Sequence, residues 1–206
     1  MGQKALFLDA SRCTGCKTCV YACKDAYDLR VGLTYRRVYE CTGGETVKDE
    51  MGIVHSTCLT YYLSVSCCHC SQPVCTEVCP TRAMAKDTVT GLVSVDAMRC
   101  IGCGYCHLAC PYGAPTVDKE KGHSVKCDGC KARVDHGEAP VCVLACPARA
   151  LKFGDLETIA TLGDRADVFP LPPAETTYPN FFVKKNHDME TAADKVVVIA
   201  NEAEVR

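Results

Sequence analysis

Residues 67–111 read CCHCSQPVCTEVCPTRAMAKDTVTGLVSVDAMRCIGCGYCHLACP, and the cysteines of this segment are the main indication of the chain's fold. It holds two quartets of cysteines, and each quartet ends in a Cys-Pro dipeptide. The quartets are Cys67-x2-Cys70-x4-Cys75-x3-Cys79 and Cys100-x2-Cys103-x2-Cys106-x3-Cys110. Closely spaced thiolates can wrap one face of a metal centre on a tight loop, while the last cysteine lies a helical turn further on and points away. The spacing therefore predicts two neighbouring metal centres, each of which takes its fourth ligand from the quartet of the other.

The quartet at residues 100–110 has the bacterial ferredoxin spacing, in which the last cysteine ligates the other of two iron–sulfur clusters. We therefore interpret residues 67–111 as a two-cluster, ferredoxin-like unit. The expected ligands are Cys67, Cys70, Cys75 and Cys110 for one [4Fe-4S] cluster, and Cys100, Cys103, Cys106 and Cys79 for its neighbour. Between the quartets, residues 83–86 and 92–96 predict the strands of a hairpin, with Gly91 at its turn.

Two further quartets flank this unit, and they are Cys13-x2-Cys16-x2-Cys19-x3-Cys23 and Cys127-x2-Cys130-x11-Cys142-x3-Cys146. Residues 8–13 (LDASRC) repeat residues 95–100 (VDAMRC), and residues 140–151 parallel residues 73–84. The same crosswise logic assigns Cys13, Cys16, Cys19 and Cys146 to a third cluster, and Cys127, Cys130, Cys142 and Cys23 to a fourth. We number the quartets in chain order and name each ligand set after the quartet that supplies three of its thiols.

The order of the quartets predicts one ferredoxin-like domain nested inside another. The strand Ala5–Leu8 before the first quartet can pair with residues 150–153 after the fourth, which closes the outer domain. We predict an α+β fold with an outer domain at residues 1–27 and 112–154, an inserted β segment at 28–66, and an inner domain at 67–111. Within the insertion, residues 35–40 and 53–66 have strand character.

Residues 155–206 form the last predicted region, a short helix followed by an extended arm. Residues 155–162 have a helical pattern with Asp155 as N-cap. Prolines keep residues 169–173 and 178–182 extended, because proline excludes both a helix interior and a central strand. Aromatic side chains in an arm without a domain of its own favour an arm that lies on a partner protein over a disordered tail.

The composition indicates that clusters substitute for an apolar core. The chain has 206 residues, of which 19 are cysteine, with no Trp and five Phe. Its formal charge is −2, and four oxidised clusters at about −2 each would bring the total to about −10. Cations beside the quartets can balance that charge, and they are Arg12, Lys17, Lys24, Arg82, Arg99, Lys126, Lys131, Arg133 and Arg149.

The sequence predicts neither a secretion signal nor a membrane span. Residues 1–9 have too short an apolar run for a signal peptide. Residues 196–200 are the longest apolar run near the end and are strand-length, whereas a bilayer needs about 20 residues. We therefore expect a chain that is soluble by itself and that reaches a membrane only through a partner.

Three cysteines, Cys41, Cys58 and Cys68, remain outside the quartets, and we predict that they are small buried hydrophobic residues. His69 and His107 lie inside quartets, where histidine can donate to sulfur but more often only packs. Paired C-x2-C units also build four-cysteine zinc sites, and the fourth quartet alone fits zinc equally well. The third quartet's spacing and the trailing prolines favour iron–sulfur clusters, and the odd cysteine count argues against a disulfide framework.

The expected ligand sets indicate a function in electron transfer. Each cluster has four thiolates, so no iron is open to a substrate, and the sequence offers no nucleotide-binding loop or Ser/His/Asp group. Four closed redox centres predict a protein that passes single electrons and is not itself an enzyme. The slight acidity and the lack of a basic patch argue against nucleic-acid binding.

The strings around the quartets resemble the iron–sulfur subunit, also called the B chain, of anaerobic dimethyl sulfoxide reductases and related molybdoenzymes. They are SRCTGCKTC at residues 11–19, CPYGAP at 110–115, EKGH at 120–123, KCDGC at 126–130 and PLP at 170–172. The cluster motifs alone specify only a broad superfamily, and these flanking strings narrow it. The resemblance covers nearly the whole chain.

The resemblance implies a catalytic partner subunit that carries molybdenum bis-pterin guanine dinucleotide and an integral membrane subunit that exchanges electrons with quinone. It also implies an order, with the first-quartet set nearest the molybdenum subunit, then the fourth, the second, and the third nearest the membrane. Nitrate reductase relatives carry Trp in place of Cys103 and hold a three-iron cluster there, so Cys103 implies four [4Fe-4S] clusters.

The resemblance further implies a complex associated with the membrane through its partner subunits. Such complexes often cross the membrane folded, on a twin-arginine signal of the catalytic subunit, which implies the periplasmic face; the cytoplasmic face is also compatible with this sequence. Two other functions stay open. One is an electron carrier of a soluble molybdoenzyme or a hydrogenase complex, and the more distant one is a zinc-binding adaptor module.

Overall fold

The computed structural model describes residues 2–205, apart from the side chain of residue 193. The strands in these residues are β1 (Lys4–Asp9), β2 (Arg36–Gly43), β3 (Thr46–Lys48), β4 (Val54–Ser56), β5 (Leu59–Ser66), β6 (Met84–Lys86), β7 (Val93–Val95), β8 (Thr116–Asp118), β9 (His123–Val125), β10 (Leu151–Asp155), β11 (Asp164–Arg165), β12 (Phe181–Lys184) and β13 (Val197–Ile199). The α-helices are α1 (Thr18–Ala26), α2 (Val74–Glu77), α3 (Tyr105–Ala109), α4 (Lys131–Asp135), α5 (Val141–Leu144), α6 (Leu156–Ile159), α7 (His187–Thr191) and α8 (Glu202–Val205), with 3-10 turns at Ala174–Thr176 and Ala192–Asp194. Within the described range, no helix has the length and apolar character needed to cross a bilayer.

The largest sheet has the strand order β10-β1-β12-β11. β1 is antiparallel to β10, with Leu8 opposite Leu151, which confirms the predicted pairing of these two segments. Successive side chains of a strand face opposite sides of its sheet. Leu6 and Leu8 therefore enter the main core together with Phe181 and Val183 of β12. The other side buries a smaller cluster of Ala5, Phe7, Ile159 and Phe182.

The C-terminal arm packs on this chain itself, so the prediction that it lies on a partner protein is wrong for its central part. β12 pairs in parallel with β1 and antiparallel with β11, and it is thus an interior strand of the largest sheet. Thr177 and Asn180, just before it, are buried. The restriction imposed by proline ends at Pro179, and the next residues have the N–H groups that a sheet ladder requires.

The predicted helix after residue 154 is present but shorter than expected. α6 covers Leu156–Ile159, with Asp155 at the N-cap position. The Asp155 side chain does not cap the helix. It instead forms an ion pair with Lys4 of β1 at 2.7 Å, which ties α6 to the edge of the sheet.

The inserted segment forms most of a second sheet, with the order β13-β2-β5. β2 and β5 are antiparallel from Arg36 opposite Ser66 to Gly43 opposite Leu59, in agreement with the predicted strands. Tyr61, Leu63 and Val65 of β5 enter the main core, so this sheet packs against the rest of the chain. The expected strand at residues 53–66 is broken into β4 and β5, and β3 was not predicted because its residues, TVK, are mostly polar.

Two small hairpins accompany the second and third quartets. β6 and β7 pair Met84 with Val95, which confirms the hairpin predicted there. Gly91 at its turn has φ +69°, and a Cβ at this position would lie 2.2 Å from the Gln3 side chain. β8 and β9 form the second hairpin. A small core of Cys75, Met84, Val93 and Cys106 lies beside the first hairpin, and Val125 of the second packs with Leu29 and Leu33.

Candidate metal centres

The four cysteines of the first-quartet set surround one cavity. Cys13 and Cys16 lie in the loop before α1, Cys19 lies in its first turn and Cys146 lies after α5, and together they line this cavity. The Ser64 hydroxyl of β5 is 3.3 Å from the Cys19 Sγ. The backbone thus brings together thiols from distant parts of the chain.

The third-quartet set surrounds a second cavity. Cys100, Cys103 and Cys106 line it together with Cys79. The N–H of Ser124 donates to the Cys100 Sγ at 3.3 Å, and the Ser124 hydroxyl lies 3.3 Å from the Cys106 Sγ. Cys79 again comes from a different quartet than its three neighbours, as the crosswise pattern requires.

The second-quartet set is gathered in the interior. Burial raises the pKa of Cys75 to about 12, and the nearby thiols Cys67, Cys110 and Cys70 add to that rise. The Thr177 hydroxyl donates to the Cys70 Sγ at 3.2 Å. This contact joins the C-terminal arm to the second quartet.

The fourth-quartet set is gathered in the same way. Burial raises the pKa of Cys23 to about 12, and the neighbouring thiols Cys142 and Cys130 contribute to the rise. Burial also raises the pKa of Cys127, with further contributions from Cys23 and Cys142. The N–H of Gly129 donates to the Cys127 Sγ at 3.4 Å.

The four sets follow one another in a row. Cys142 of the fourth-quartet set contributes, after burial, to the raised pKa of Cys19 in the first-quartet set. Cys67 of the second-quartet set contributes likewise to the raised pKa of Cys127. Cys75, Cys79 and Cys106 pack in one small core, which joins the second- and third-quartet sets. The spatial order is therefore first, fourth, second, third.

The two sets at the ends of this row reach the surface. Among the sixteen quartet cysteines, all of which the structure describes, Cys16 and Cys103 are the exposed thiols. Cys16 belongs to the first-quartet set and Cys103 to the third-quartet set. The two middle sets have only buried or half-buried thiols.

Repeated turns shape two of the sulfur sites. In Cys79-Pro80-Thr81-Arg82 and Cys146-Pro147-Ala148-Arg149, the arginine has φ values of 54° and 52°, in the left-handed region. This turn folds the following backbone over the cysteine, so the N–H of Met84 donates to the Cys79 Sγ at 3.4 Å and the N–H of Ala150 donates to the Cys146 Sγ at 3.3 Å. Such N–H donors stabilise a thiolate.

The donor sets fit iron–sulfur clusters. A [4Fe-4S] cluster is held by four cysteine thiolates, and each of the two cavities presents that set. In residues 2–205, no three or more His, Cys, Asp or Glu side chains converge as a site for a single metal ion. The cysteines are free thiols, all 19 of them within the described range.

Comparison with known proteins agrees with this geometry. A family model for the 4Fe-4S dicluster domain matches residues 58–156, and one for a 4Fe-4S binding domain matches residues 4–25. The B chain of the anaerobic dimethyl sulfoxide reductase of Haemophilus influenzae is 48% identical over 206 residues, which cover 100% of both proteins. YnfG of Escherichia coli, a probable anaerobic dimethyl sulfoxide reductase chain, is 50% identical over 204 residues, 98% of each protein.

The protein belongs to the family of anaerobic dimethyl sulfoxide reductase B chains. It is a [4Fe-4S] electron-transfer subunit of a reductase complex and not the catalytic subunit, as predicted from the sequence. More distant relatives match part of the chain. The B subunit of the sulfite dehydrogenase of Allochromatium vinosum is 38% identical over 169 residues, which are 76% of this chain and 70% of that protein.

The spare cysteines of this iron–sulfur protein differ from one another. Cys41 and Cys68 are buried, with exposed fractions of 0% and 2%, so that prediction is confirmed for both. The prediction is wrong for Cys58, which is exposed. Cys58 lies in the turn between β4 and β5, where its Sγ is 3.4 Å from the Thr46 hydroxyl.

The two quartet histidines also differ. His69 is buried, and its Nδ1 accepts a hydrogen bond of 2.9 Å from the N–H of Val93. That acceptor role leaves the hydrogen on Nε2, which lies 4.0 Å from the Cys127 Sγ. His107 instead bonds through Nδ1 to the Pro115 carbonyl at 2.6 Å, away from sulfur.

Sequence reasoning missed Arg36, a buried cation beside the first- and fourth-quartet sets. Its guanidinium donates to the Ser64 carbonyl and hydroxyl, at 3.2 and 2.9 Å, and to the Ser66 hydroxyl at 3.0 Å. Burial opposes its charge, but the thiols Cys142 and Cys19 raise the pKa of Arg36 above its ordinary value. The signal for it was strand alternation, which places Arg36 on the same inward face as Val38.

Proposed function

We propose that this chain relays single electrons through four [4Fe-4S] clusters between a quinone-reactive membrane subunit and a molybdopterin-containing catalytic subunit. Relatives are named as chains of dimethyl sulfoxide reductase and as a subunit of sulfite dehydrogenase, which supports a partner that performs the chemistry. A [4Fe-4S] cluster, when bound, accepts and returns one electron at a time. The chain's own residues hold and insulate such centres.

The proposed ligands are the four crosswise sets. They are Cys13, Cys16, Cys19 and Cys146; Cys127, Cys130, Cys142 and Cys23; Cys67, Cys70, Cys75 and Cys110; and Cys100, Cys103, Cys106 and Cys79. On this basis an inner ferredoxin-like domain, residues 67–111, is nested in an outer one formed by residues 1–27 and 112–154.

One observation carries the proposal, namely that each cavity is lined by three thiols of one quartet and the last thiol of another. Within the described residues the thiols do not converge on one point for a single ion, whereas zinc draws four thiolates to about 2.3 Å from a single point. The geometry therefore favours iron–sulfur clusters over the zinc adaptor.

The row of sets supports an end-to-end path for electrons. The exposed thiols Cys16 and Cys103 mark its two ends, where partner subunits can approach. We assign the first-quartet end to the catalytic subunit and the third-quartet end to the membrane subunit. Large exposed apolar side chains flank Cys103 in the sequence and favour an apolar partner at that end; they are Met98, Ile101, Tyr105 and Leu108.

We place the complex at the membrane through its partner subunits, on the periplasmic face after export with the catalytic subunit. Copurification of the intact complex from membranes, with both partner subunits, is the expected result. Recovery of the chain only in a soluble complex with a molybdoenzyme or a hydrogenase would favour the alternative carrier function.

Metal analysis and cysteine variants test the ligand sets. Anaerobically purified complex should contain about sixteen irons in this chain, from four clusters of four irons. Cys16→Ser and Cys146→Ser should abolish the same electron paramagnetic resonance (EPR) signal, because both residues belong to the first-quartet set. Cys23→Ser and Cys130→Ser should abolish a different one.

Cys68→Ser is the matched control, since Cys68 neighbours a proposed ligand and is buried but belongs to no set. It should retain all four signals. Loss of one and the same signal in Cys16→Ser and Cys23→Ser would contradict the crosswise assignment, and zinc in place of iron would overturn the proposal as a whole.

A further inference from the structure

Lys126 is a buried lysine in contact with a proposed cluster ligand. Among the nine cations that the sequence places beside the quartets, it is the one that is buried, with an exposed fraction of 4%. Its Nζ donates to the Cys67 Sγ at 3.4 Å, to the Cys127 carbonyl at 2.7 Å and to the Val93 carbonyl. These contacts fix the ammonium group in one position.

The position of Lys126 is a junction between two ligand sets. The Cys67 Sγ that it contacts belongs to the second-quartet set, and Cys127, its neighbour in sequence, belongs to the fourth-quartet set. The ammonium group thus contacts one ligand residue of each of the two middle sets.

No carboxylate neutralises this charge. The ion pairs found within residues 2–205 do not include Lys126. A buried ammonium without a counterion is costly unless negative charge lies close by. The negative charge in its contact range is that of the thiolate ligands, so the site is built to hold a cation against sulfur.

We propose that Lys126 is a shared positioning residue that raises the reduction potentials of both middle clusters, the one held by the second-quartet set and the one held by the fourth-quartet set. This inference rests on the ligand sets of the proposed function. Each cluster becomes more negative by one charge when it is reduced, and a fixed cation in a region of low dielectric stabilises the reduced form. The two end clusters lie beyond its contacts and keep their own potentials.

Redox titration of the complete complex, followed by EPR, tests this role. Lys126→Gln removes the charge and retains a group that can donate to the Val93 and Cys127 carbonyls. We expect the midpoint potentials of both middle clusters to shift to more negative values while those of the end clusters stay in place. Lys126→Arg keeps the charge and should keep the two middle potentials near those of the wild type.

Lys131→Gln is the matched control. Lys131 also follows a proposed ligand, Cys130, but its ammonium pairs with Asp135 at 2.9 Å and Asp87 at 3.5 Å and is a third exposed. Its charge is thus neutralised and screened by water. All four potentials should stay at their wild-type values in this variant.

Three outcomes would overturn the inference. They are unchanged potentials in Lys126→Gln, an equal shift of all four clusters, and a shift confined to one middle cluster. If Lys126→Gln does not retain its middle clusters, the potentials of Lys126→Arg provide the test. Middle potentials that differ from those of the wild type in Lys126→Arg would contradict the inference, because this variant keeps the charge and changes only the shape of the side chain. A wild-type complex with fewer than four clusters would instead overturn the ligand sets themselves.

Discussion

The four-stranded sheet β10-β1-β12-β11 and the hairpins β6–β7 and β8–β9 consist of comparably short strands but bury different side chains. The sheet buries large apolar residues on both of its faces, among them Leu6, Leu8, Phe181 and Phe182. The core beside β6 and β7 has two apolar residues, Met84 and Val93, and two cysteines, and Val125 of β9 packs in a small cluster with Leu29 and Leu33. The main core on one face of the sheet includes the proposed ligands Cys19, Cys142 and Cys146, whereas the cluster on its other face contains no cysteine. The sheet is thus held largely by apolar side chains, and the β6–β7 hairpin packs against two proposed metal ligands.

From this difference we expect cluster binding to supply folding free energy to the hairpins more than to the four-stranded sheet. A two-stranded hairpin is at best marginally stable in water, and these two have little apolar surface to bury. A metal site whose thiolates come together only in the folded chain binds its metal only in that state. The free energy of metal binding therefore adds to the free energy of folding. The stability of the two hairpins should therefore depend on the clusters, whereas the four-stranded sheet should persist without them.

Removal of iron should have the largest effect, and it tests directly whether the hairpins and the sheet differ in their dependence on the clusters. After anaerobic chelation, amide hydrogens of β6, β7, β8 and β9 should lose nearly all protection from exchange. Those of β1 and β12 should stay better protected, because Phe7 and Phe182 pack with Ile159 in a cluster on one face of their sheet that contains no cysteine. Equal loss of protection in both regions, measured by hydrogen exchange, would contradict the distinction.

Phe181→Ala should have the next largest effect and acts through the main core beside the sheet. Phe181 is buried in the main core, and removing such a side chain costs about 3–5 kcal/mol. The free energy of unfolding, from urea titration of the anaerobic protein, measures the loss. Tyr178→Ala, at a residue that is 42% exposed, is the control and should cost far less.

Asn180→Ala tests the link between the two regions. The Asn180 Nδ2 donates to the His69 carbonyl at 2.8 Å, and its Oδ1 accepts from the Ser71 hydroxyl at 3.2 Å. Leaving the carbonyl of the buried His69 unpaired should cost about 1–3 kcal/mol of unfolding free energy. The second-quartet cluster should also be released faster on chelation, which iron-release kinetics would measure; unchanged kinetics would mean that the sheet does not support this quartet.

Lys4→Ala should have the smallest effect. Its ion pair with Asp155 lies at the edge of the sheet, and the Asp155 side chain is 58% exposed. Exposed pairs contribute about 0–1 kcal/mol and are screened by salt. The difference in unfolding free energy from the wild type should therefore shrink further in high salt, and a larger loss would show that α6 needs this contact to stay in place.

Much of the fold could be predicted because ligand spacing is local. The quartets determine tight turns and helix starts over a few residues, so their order predicted the pairing of β1 with β10 and the hairpin of β6 with β7. The four residues of β12 follow a proline and carry no register signal, so their partner strand could not be read from the sequence. Only the fold shows that β12 lies between β1 and β11.

The site shows the same limit. Sequence spacing grouped the thiols that line both cavities, because the last cysteine of a ferredoxin quartet points away from the other three. It could not distinguish Lys126 from the other cations beside the quartets, since burial depends on how distant segments pack. Cys58 was mispredicted for the same reason, because a short polar turn exposes a residue that composition alone would bury.

The position of β12 has a consequence for the order of events during synthesis. β1 leaves the ribosome among the first residues, yet both strands that flank it, β10 and β12, are among the last third of the chain. For most of translation, β1 is an unpaired apolar segment with two open edges. With the proposed ligands, insertion of iron into the first-quartet set must likewise wait for Cys146, so neither this cluster nor the sheet can be completed before the last third of the chain is being made.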